Sequence, residues 1–315
     1  MAERDEADER VAVTGATGLV GSAVVAALVA RRYEVVVLTR DPQRARESVP
    51  GAADYVAYEQ EQEAVGDWAA LLASVDHVVN LAGPSLFRPF TGRRYLHKAT
   101  QQRIAGTERL VAALRAAPAR ARTLINASSV GVYGFGRPSD EEVNEDTTPL
   151  PGRYAAGSAA WEAAAAAAGS QTRVVLLRMG YVLSADGGGL PWQLQQARKG
   201  KAAYFAPGTQ WLPWIHLDDV VDCVTHALAE ERWCGAYNLV APQAVRSREF
   251  ANTLTQVVGS TPPRQTPALL ARVFVGAGSD TLLGGRRVIP ARLSRVGHAF
   301  VHPTLKDALH ACATR

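Results

Sequence analysis

From Val11 onward, short apolar runs alternate with longer stretches in which apolar residues recur every three or four positions. "VAVTGATG" (11–18) predicts a strand ending in a glycine turn, "LVGSAVVAALVARR" (19–32) a helix, and "YEVVVLTR" (33–40) a second strand. "DHVVNLAG" (76–83), "TERLVAALRAA" (107–117) and "TLINASSVGVYG" (123–134) continue the series as strand, helix, and strand running into a loop. A helix around "SAAWEAAAAAAG" (158–169) precedes one further strand, "RVVLLRMGYVL" (173–183). Strand, helix, strand at this spacing predicts βαβ units on a parallel sheet, and the unbroken Val/Leu/Ile runs predict strands covered on both faces.

Past about residue 185 the texture changes. "SADGGGLPWQ", "PGTQWLPW" and "STPPRQTPA" are Gly- and Pro-rich loops between the helical stretches "DDVVDCVTHALAEE" and "SREFANTLTQVVG". The expected organisation is an α/β main domain over 9–185 and a smaller C-terminal α/β substrate lobe over 186–315. Segments near 214–220 and 236–241 are expected to return to the main domain.

Composition narrows the function classes. With 315 residues, 47% of them hydrophobic, the chain can bury a large core. The formal charge of +4 is scattered apart from small knots at 92–94 and 284–287, which argues against nucleic acid, since phosphate tracking needs a concentrated basic face. Cys223, Cys234 and Cys312 are too few and too separated for a disulfide framework or a zinc site, so no metal is expected and a reducing cytoplasm fits best. No run approaches the roughly 20 apolar residues of a membrane span. The opening "MAERDEADER" lacks the basic-then-apolar order of an export signal and reads as a solvated tail.

Gly15, Gly18 and Gly21 stand between the first strand and the first helix, where glycines allow a tight turn, close approach to a pyrophosphate, and close helix-to-strand packing. This is the phosphate turn of a Rossmann-type, doubly wound parallel sheet, and the intervening Thr17, Leu19 and Val20 complete the expected cofactor-binding set. The second strand ends in Thr39 and Arg40, where an NAD-selective site places an acid. Arg40 can pair with a 2'-phosphate, so NADP is the expected cofactor. NAD is the alternative, with Asp41 as the acid.

The glycine spacing, "NLAG" (80–83), "SSVGVYG" (128–134) and "WIHLDDV" (214–220) resemble the extended short-chain dehydrogenase/reductase superfamily. More narrowly, "WE" (161–162), "LRMGYVLSADGG" (177–188), "VRSREF" (245–250) and "LLGGRRVIPARL" (282–293) resemble its NAD-dependent epimerase/dehydratase-like branch, which has a characteristic C-terminal domain. The resemblance implies that Asn80, Leu81, Ala82 and Gly83 line the cofactor cleft. It also implies that Ser129 and Tyr154 are the catalytic serine and tyrosine. The motif Y-x-x-x-K would put a lysine at 158, where this chain has Ser158, while Glu162 fits the pattern. Expected activity is therefore that of an atypical NADP-dependent oxidoreductase reducing a small carbonyl compound, with Ser158 assisting Tyr154. The alternative is a non-redox isomerase or cyclase, or a sensor of the nicotinamide pool.

Other candidates are weaker. His216 reads as structural, and Asp218 and Asp219 as helix N-caps. Trp192, Trp211 and Trp214 could wall an apolar pocket. Arg178, at the end of a strand on the ligand-binding edge, is placed with the cofactor set, an ion pair being the other reading. His97 and Lys98 are assigned no function. The helices around 100–116 and 154–169 are expected to form a two-fold contact in a homodimer, because the alanine-rich face at 159–168 permits close packing.

Overall fold

The computed structural model describes residues 9–58, 67–84, 92–116, 123–135, 139–275 and 279–314. Most of the charged opening segment, residues 1–8, lies outside the described residues. The chain runs β1 (Arg10–Thr14), α1 (Leu19–Ala30), β2 (Glu34–Thr39), α2 (Pro42–Ser48), β3 (Asp54–Ala57), α3 (Asp67–Leu72), β4 (His77–Asn80), α4 (Arg93–Ala116) and β5 (Thr123–Ser129). A 3-10 turn (Val130–Tyr133) leads to β6 (Glu142–Val143), α5 (Arg153–Ala166), β7 (Arg173–Met179) and β8 (Tyr181–Leu183). There follow α6 (Leu190–Arg198), β9 (Ala203–Phe205), β10 (Trp214–His216), α7 (Leu217–Ala229), β11 (Gly235–Leu239) and α8 (Ser247–Val257). The C-terminal part holds β12 (Arg264–Thr266), α9 (Ala268–Val275), α10 (Asp280–Leu283), β13 (Arg287–Val288), α11 (Ala291–Arg295) and α12 (Leu305–Thr314).

A 7-stranded sheet in the order β11-β7-β5-β4-β1-β2-β3 carries the architecture, with every pairing parallel. The chain winds outward from β1 to β3, then returns to build β4 on the other side of β1. The connections that leave the carboxyl ends of β1 and β4 therefore run to opposite faces of the sheet and leave a crevice between them, the usual ligand position in such sheets. This is the doubly wound α/β fold that the βαβ spacing predicts.

Each face of the sheet buries a helical layer. Val24, Val25 and Leu28 of α1 meet Val220, Val224 and Leu228 of α7 on one side. Leu72 of α3, Leu110 and Leu114 of α4, and Ala165 of α5 fill the other. Full burial of side chains this size contributes about 1.5–3 kcal/mol each, so the helices are anchored chiefly by these contacts. A further cluster joins Leu190 and Leu194 of α6, Phe250 and Leu254 of α8, and Leu305 and Leu309 of α12. Among the described residues, no helix is long and apolar enough to cross a membrane.

One element departs from its sequence pattern. "RVVLLRMGYVL" forms two strands, not one, because the chain turns at Gly180 and β8 pairs with β10 outside the main sheet. A Cβ at Gly180 would lie 2.7 Å from the carbonyl oxygen of Pro213, so the close crossing of that segment is open only to glycine. Of the two returning segments, β11 becomes the edge strand beside β7. In the other, β10 pairs with β8, while α7 packs against α1.

Candidate active site

The three glycines of the first turn have different physical reasons. Gly15 has φ 70°, and a Cβ there would come within 2.7 Å of Ala82 N. At Gly21 a Cβ would sit 2.1 Å from the carbonyl oxygen of Gly15. The fold itself thus demands glycine at both positions. Gly18 is exposed and would meet only that same carbonyl, at 3.3 Å, so its bare Cα leaves room for something outside the protein. It is the N-cap of α1, which has no side-chain cap and no acidic residue in its first turn. Amides at an uncapped helix start, approached over a bare glycine, fit a dinucleotide pyrophosphate.

A buried hydrogen-bond network holds the opposite wall. Thr14 Oγ1 donates to Asn80 Oδ1 (2.7 Å) and accepts from Ala82 N (3.2 Å), fixing the 81–83 loop against the glycine turn. Asn80 Nδ2 donates to Thr107 Oγ1 and Asn126 Oδ1. The expectation that the Asn80 side chain lines the cleft is therefore corrected: it is 1% exposed and spent inside the sheet, supporting the loop from behind. Leu81 and Ala82 are half-buried and Gly83 is exposed, at the crevice.

At the end of β2, Arg40 is exposed and Thr39 half-buried. Asp41, the alternative acid for an NAD ribose, caps α2 by accepting from Arg44 N at 3.0 Å. A carboxylate held in that role favours the arginine as the group that meets the cofactor.

Ser129 ends β5 and Tyr154 opens α5, both at the carboxyl edge of the sheet. Ser129 Oγ accepts from Gly131 N at 3.0 Å, which orients the hydroxyl while leaving it able to donate its proton. Tyr154 packs edge-on against Phe135, with ring centroids 5.2 Å apart. It lines an open cleft of about 310 Å³ with Leu150, Phe135 and Asp280. Burial pushes its phenol above the ordinary value, as does the Asp280 carboxylate, against a pull from Arg153. A second, much smaller hollow, of about 30 Å³, meets this cleft at Gly134 and Phe135 and is lined by Val130, Trp211 and Arg286. Ser158 lies one turn along α5 from Tyr154, half-buried, with no lysine at that position.

Arg178 leaves the cofactor set. Its guanidinium is bidentate on Glu162, with Nε and Nη2 each 2.9 Å from a carboxylate oxygen, and Nη1 donates to the Tyr133 hydroxyl at 2.7 Å. Burial alone would lower this arginine, but the Glu162 bonds and nearby Tyr133 outweigh it and raise it. Glu162 also accepts from Ser128 Oγ at 2.5 Å, so the ion pair ties β5, α5 and β7 together beneath the site. The chain of contacts continues outward. Tyr133 donates to Asn238 Oδ1, Asn238 donates to Glu145 and to the Ile289 carbonyl, and Glu145 accepts from Arg292 N.

Sequence reasoning missed two residues. Arg103, on α4, has its guanidinium 4.7 Å above the Trp161 ring, and Nη2 donates to the Pro84 carbonyl. A Cβ at Gly83 would come within 2.9 Å of that guanidinium carbon, so the charge lies directly behind the exposed glycine of the crevice. Nε is buried without a hydrogen-bond partner, and burial lowers the group to about 10, leaving it charged at pH 7. Its only sequence signal is an arginine on a helix that also buries Leu96, Ala99 and Leu110, a pattern equally suited to a solvated face. Asp280 comes from α10 and reaches Tyr154 only through the tertiary fold.

The remaining candidates separate cleanly. Trp214 is 1% exposed core and Trp192 is 66% exposed, so neither walls a pocket, whereas Trp211 does. His216 is structural as expected, and it, not the aspartates, is the N-cap of α7, accepting from Asp218 N. Asp219 instead accepts from the backbone of Val301 and His302. His97 and Lys98 are exposed on α4. Helices α4 and α5 pack against one another within the chain, where a Cβ at Gly157 would lie 2.7 Å from Thr100 Cγ2.

Residues 11–239 match the profile of the NAD dependent epimerase/dehydratase family, and residues 266–312 match a domain of unknown function, DUF1731. The epimerase family protein MT2273 of Mycobacterium tuberculosis is 34% identical over 307 residues, covering 97% of this chain and 98% of that protein. The epimerase family protein SDR39U1 of Homo sapiens is 32% identical over 308 residues, covering 95% of this chain and 98% of that protein. The crystal structure of human SDR39U1 (isoform 2) with NADPH has a TM-score of 0.84 at 30% identity, covering 97% of this chain and 99% of that one. UDP-glucuronic acid 4-epimerase from Bacillus cereus, in complex with NAD, reaches a TM-score of 0.75 at 18% identity, covering 97% of this chain and 96% of that one, a likeness of fold alone.

Proposed function

The chain belongs to the NAD dependent epimerase/dehydratase family, and from that membership we propose that it is an NADP(H)-dependent oxidoreductase that reduces a small carbonyl compound. The observation that carries the reading is Tyr154, a phenol that burial pushes further above its ordinary value, lining an open cleft at the ligand-binding edge of the sheet. The crystallised human relative with NADPH supports the choice of cofactor, as does the engagement of Asp41 in helix capping. The amides at the start of α1 would hold the pyrophosphate, Arg40 the 2'-phosphate, and the 81–83 loop the ribose side. When bound, NADPH supplies hydride.

Without a lysine at 158, Tyr154 is a poor base, since an unassisted phenol of pKa ~10 is ionised about one part in a thousand at pH 7. It can still act as an acid. In the proposed reaction Tyr154 gives its proton to the carbonyl oxygen, Ser129 hydrogen-bonds the same oxygen, and Ser158 or a water replaces the proton. Arg103 is proposed as a positive charge behind Gly83, on the cofactor side of the crevice. The closest rival is nucleotide binding without hydride chemistry, favoured by Ser158 at the lysine position. Three free thiols among described residues support a reducing compartment such as the cytoplasm.

The test is reduction of a carbonyl panel by NADPH, followed on the best substrate with variants. Tyr154→Phe is expected to lose about a hundredfold or more, the scale of general acid catalysis. Because the folded phenol is raised, the protonated form persists, so the reduction rate should hold through neutral pH and fall only above the ordinary phenol value of about 10. Full turnover in Tyr154→Phe would remove the tyrosine from the mechanism, and tight NADPH binding with no turnover across the panel would favour the rival.

A further inference from the structure

Beside α1, in the helical layer that covers one face of the sheet, α7 carries Asp222 and His226 one turn apart, facing His298 in the segment after α11. Asp222 Oδ2 lies 3.8 Å from His226 Nδ1 and 3.8 Å from His298 Nδ1, and the three ligand atoms are all within 4.8 Å of one another. The His298 side chain is 0% exposed, yet its Nδ1 has no hydrogen-bond partner. Its other nitrogen, Nε2, is 3.5 Å from Cys223 Sγ. The rings of Phe300 and Trp233 stand edge-on to it, at 4.8 and 6.2 Å.

This arrangement is electrostatically incomplete. A proton on Nε2, directed at Cys223, leaves the Nδ1 lone pair facing a carboxylate. A proton on Nδ1 finds no acceptor within hydrogen-bond range, because 3.8 Å is too long. Either state leaves a buried polar atom unsatisfied, which costs about 1–3 kcal/mol. A cation between the three atoms relieves both problems at once. In a tetrahedral site with metal–ligand distances of about 2.0 Å, ligand atoms lie roughly 3.3 Å apart, so the two Asp222 distances need to contract by about half an ångström and the two imidazole nitrogens, within 4.8 Å of each other, by up to about 1.5 Å.

We infer that Asp222, His226 and His298 form a binding site for a divalent transition-metal ion of the zinc class. Two imidazole nitrogens and one carboxylate oxygen suit zinc and its neighbours, whereas magnesium and calcium prefer all-oxygen shells. His226 is 44% exposed and Asp222 25%, so the ion can enter from solvent and take water as its fourth ligand. Cys223 orients the His298 ring from behind, as outer partners of metal-bound histidines commonly do. The ion would clip the segment after α11 onto α7, joining the two matched regions of the chain away from the crevice.

A neighbouring cluster, His216, Asp218 and His302, provides an internal contrast. There His216 Nδ1 accepts from Asp218 N, His302 Nε2 is 3.1 Å from Asp218 Oδ2, and Cys312 Sγ meets His216 Nε2. Hydrogen bonds already close that cluster, and the two rings lie against each other, tilted by 49° with centroids 3.9 Å apart.

The experiment is a titration of tag-free, chelator-treated full-length protein with Zn²⁺ in competition with a chromophoric chelator, together with thermal melts. One equivalent should bind with micromolar or tighter affinity. His226→Ala, at an exposed position, and Asp222→Asn should each weaken binding tenfold or more, while His302→Ala leaves it unchanged. Zn²⁺ should raise the Tm of the parent and not that of His226→Ala. Absence of a bound equivalent, equal affinity in His226→Ala, or loss in His302→Ala with retention in His226→Ala would each overturn the assignment.

Discussion

A methyl group placed at Gly18 should separate cofactor binding from folding. The backbone there, at φ −82° and ψ 169°, is open to any L-residue. The new Cβ would meet only the Gly15 carbonyl oxygen, at 3.3 Å. Replacing glycine restricts the unfolded chain, stabilising by about 0.4–1 kcal/mol, while alanine is a poorer N-cap than glycine by roughly the same amount. Gly18→Ala should therefore stay within about 1 kcal/mol of the parent, a Tm shift of a few degrees for a chain of this size. The same methyl group occupies the approach to the uncapped amides of α1. Losing one charge-assisted hydrogen bond from these amides to a phosphate costs about 1.5–3 kcal/mol, so NADPH should bind about ten- to a hundredfold more weakly. Gly21→Ala is the control, because its Cβ would lie 2.1 Å from Gly15 O and 2.8 Å from Ala16 Cα, both backbone atoms that cannot step aside. That variant should lose stability first and cofactor with it. Differential scanning fluorimetry gives the first quantity and NADPH fluorescence titration the second. Undiminished NADPH binding by Gly18→Ala, or a Tm loss as large as that of Gly21→Ala, would refute the reasoning.

Arg40→Ala should weaken NADPH about tenfold or more and leave NADH nearly unchanged in the same titration; equal losses would exclude Arg40 as the 2'-phosphate partner. Glu162→Gln leaves the Arg178 charge buried without its carboxylate, at a site where the two side chains are only 13% and 11% exposed. It should cost about 3 kcal/mol or more in urea unfolding, and a loss below about 1 kcal/mol would show the pair to be solvated. Of the alanine-rich face at 159–168, Ala164, Ala165 and Ala168 are buried within the chain and Ala159, Ala160 and Ala163 are left for the two-fold contact we propose; a monomer by multi-angle light scattering at high micromolar concentration would refute it.

The glycine turn was legible in the sequence because each requirement is local: a left-handed φ at Gly15 and a helix pressed on its own turn at Gly21. The doubly wound sheet was legible for a similar reason, since buried parallel strands must be uniformly apolar. The break at Gly180 was not, because the cause is the Pro213 carbonyl, distant in sequence, while "RVVLLRMGYVL" on its own satisfies a single strand. Asn80 and Arg178 do stand at the carboxyl edge of the sheet, but their side chains turn inward to buried partners. Whether a polar side chain at a strand end meets solvent or a buried partner depends on Thr107 and Asn126 in one case and Glu162 in the other. Arg103 lay beyond reach because a charge on a helix is normally solvated, and only the Trp161 ring and the Pro84 carbonyl reveal its burial.

The buried chain of polar contacts that begins at Ser128 and ends at Arg292 bears on how such proteins can diversify. Asn238 closes the region matched to the epimerase/dehydratase family, yet its amide donates to Ile289, and Glu145 accepts from Arg292, both in the region matched to the other domain. The seam between the two matched regions is thus crossed by hydrogen bonds that each side needs for its own interior. A chimaera that kept residues up to 239 and exchanged the C-terminal domain would strand the Asn238 amide unless the newcomer brought a carbonyl to the same point. Recombination at this seam is therefore constrained to donors that already carry the matching acceptor, and the two regions should be inherited as a pair.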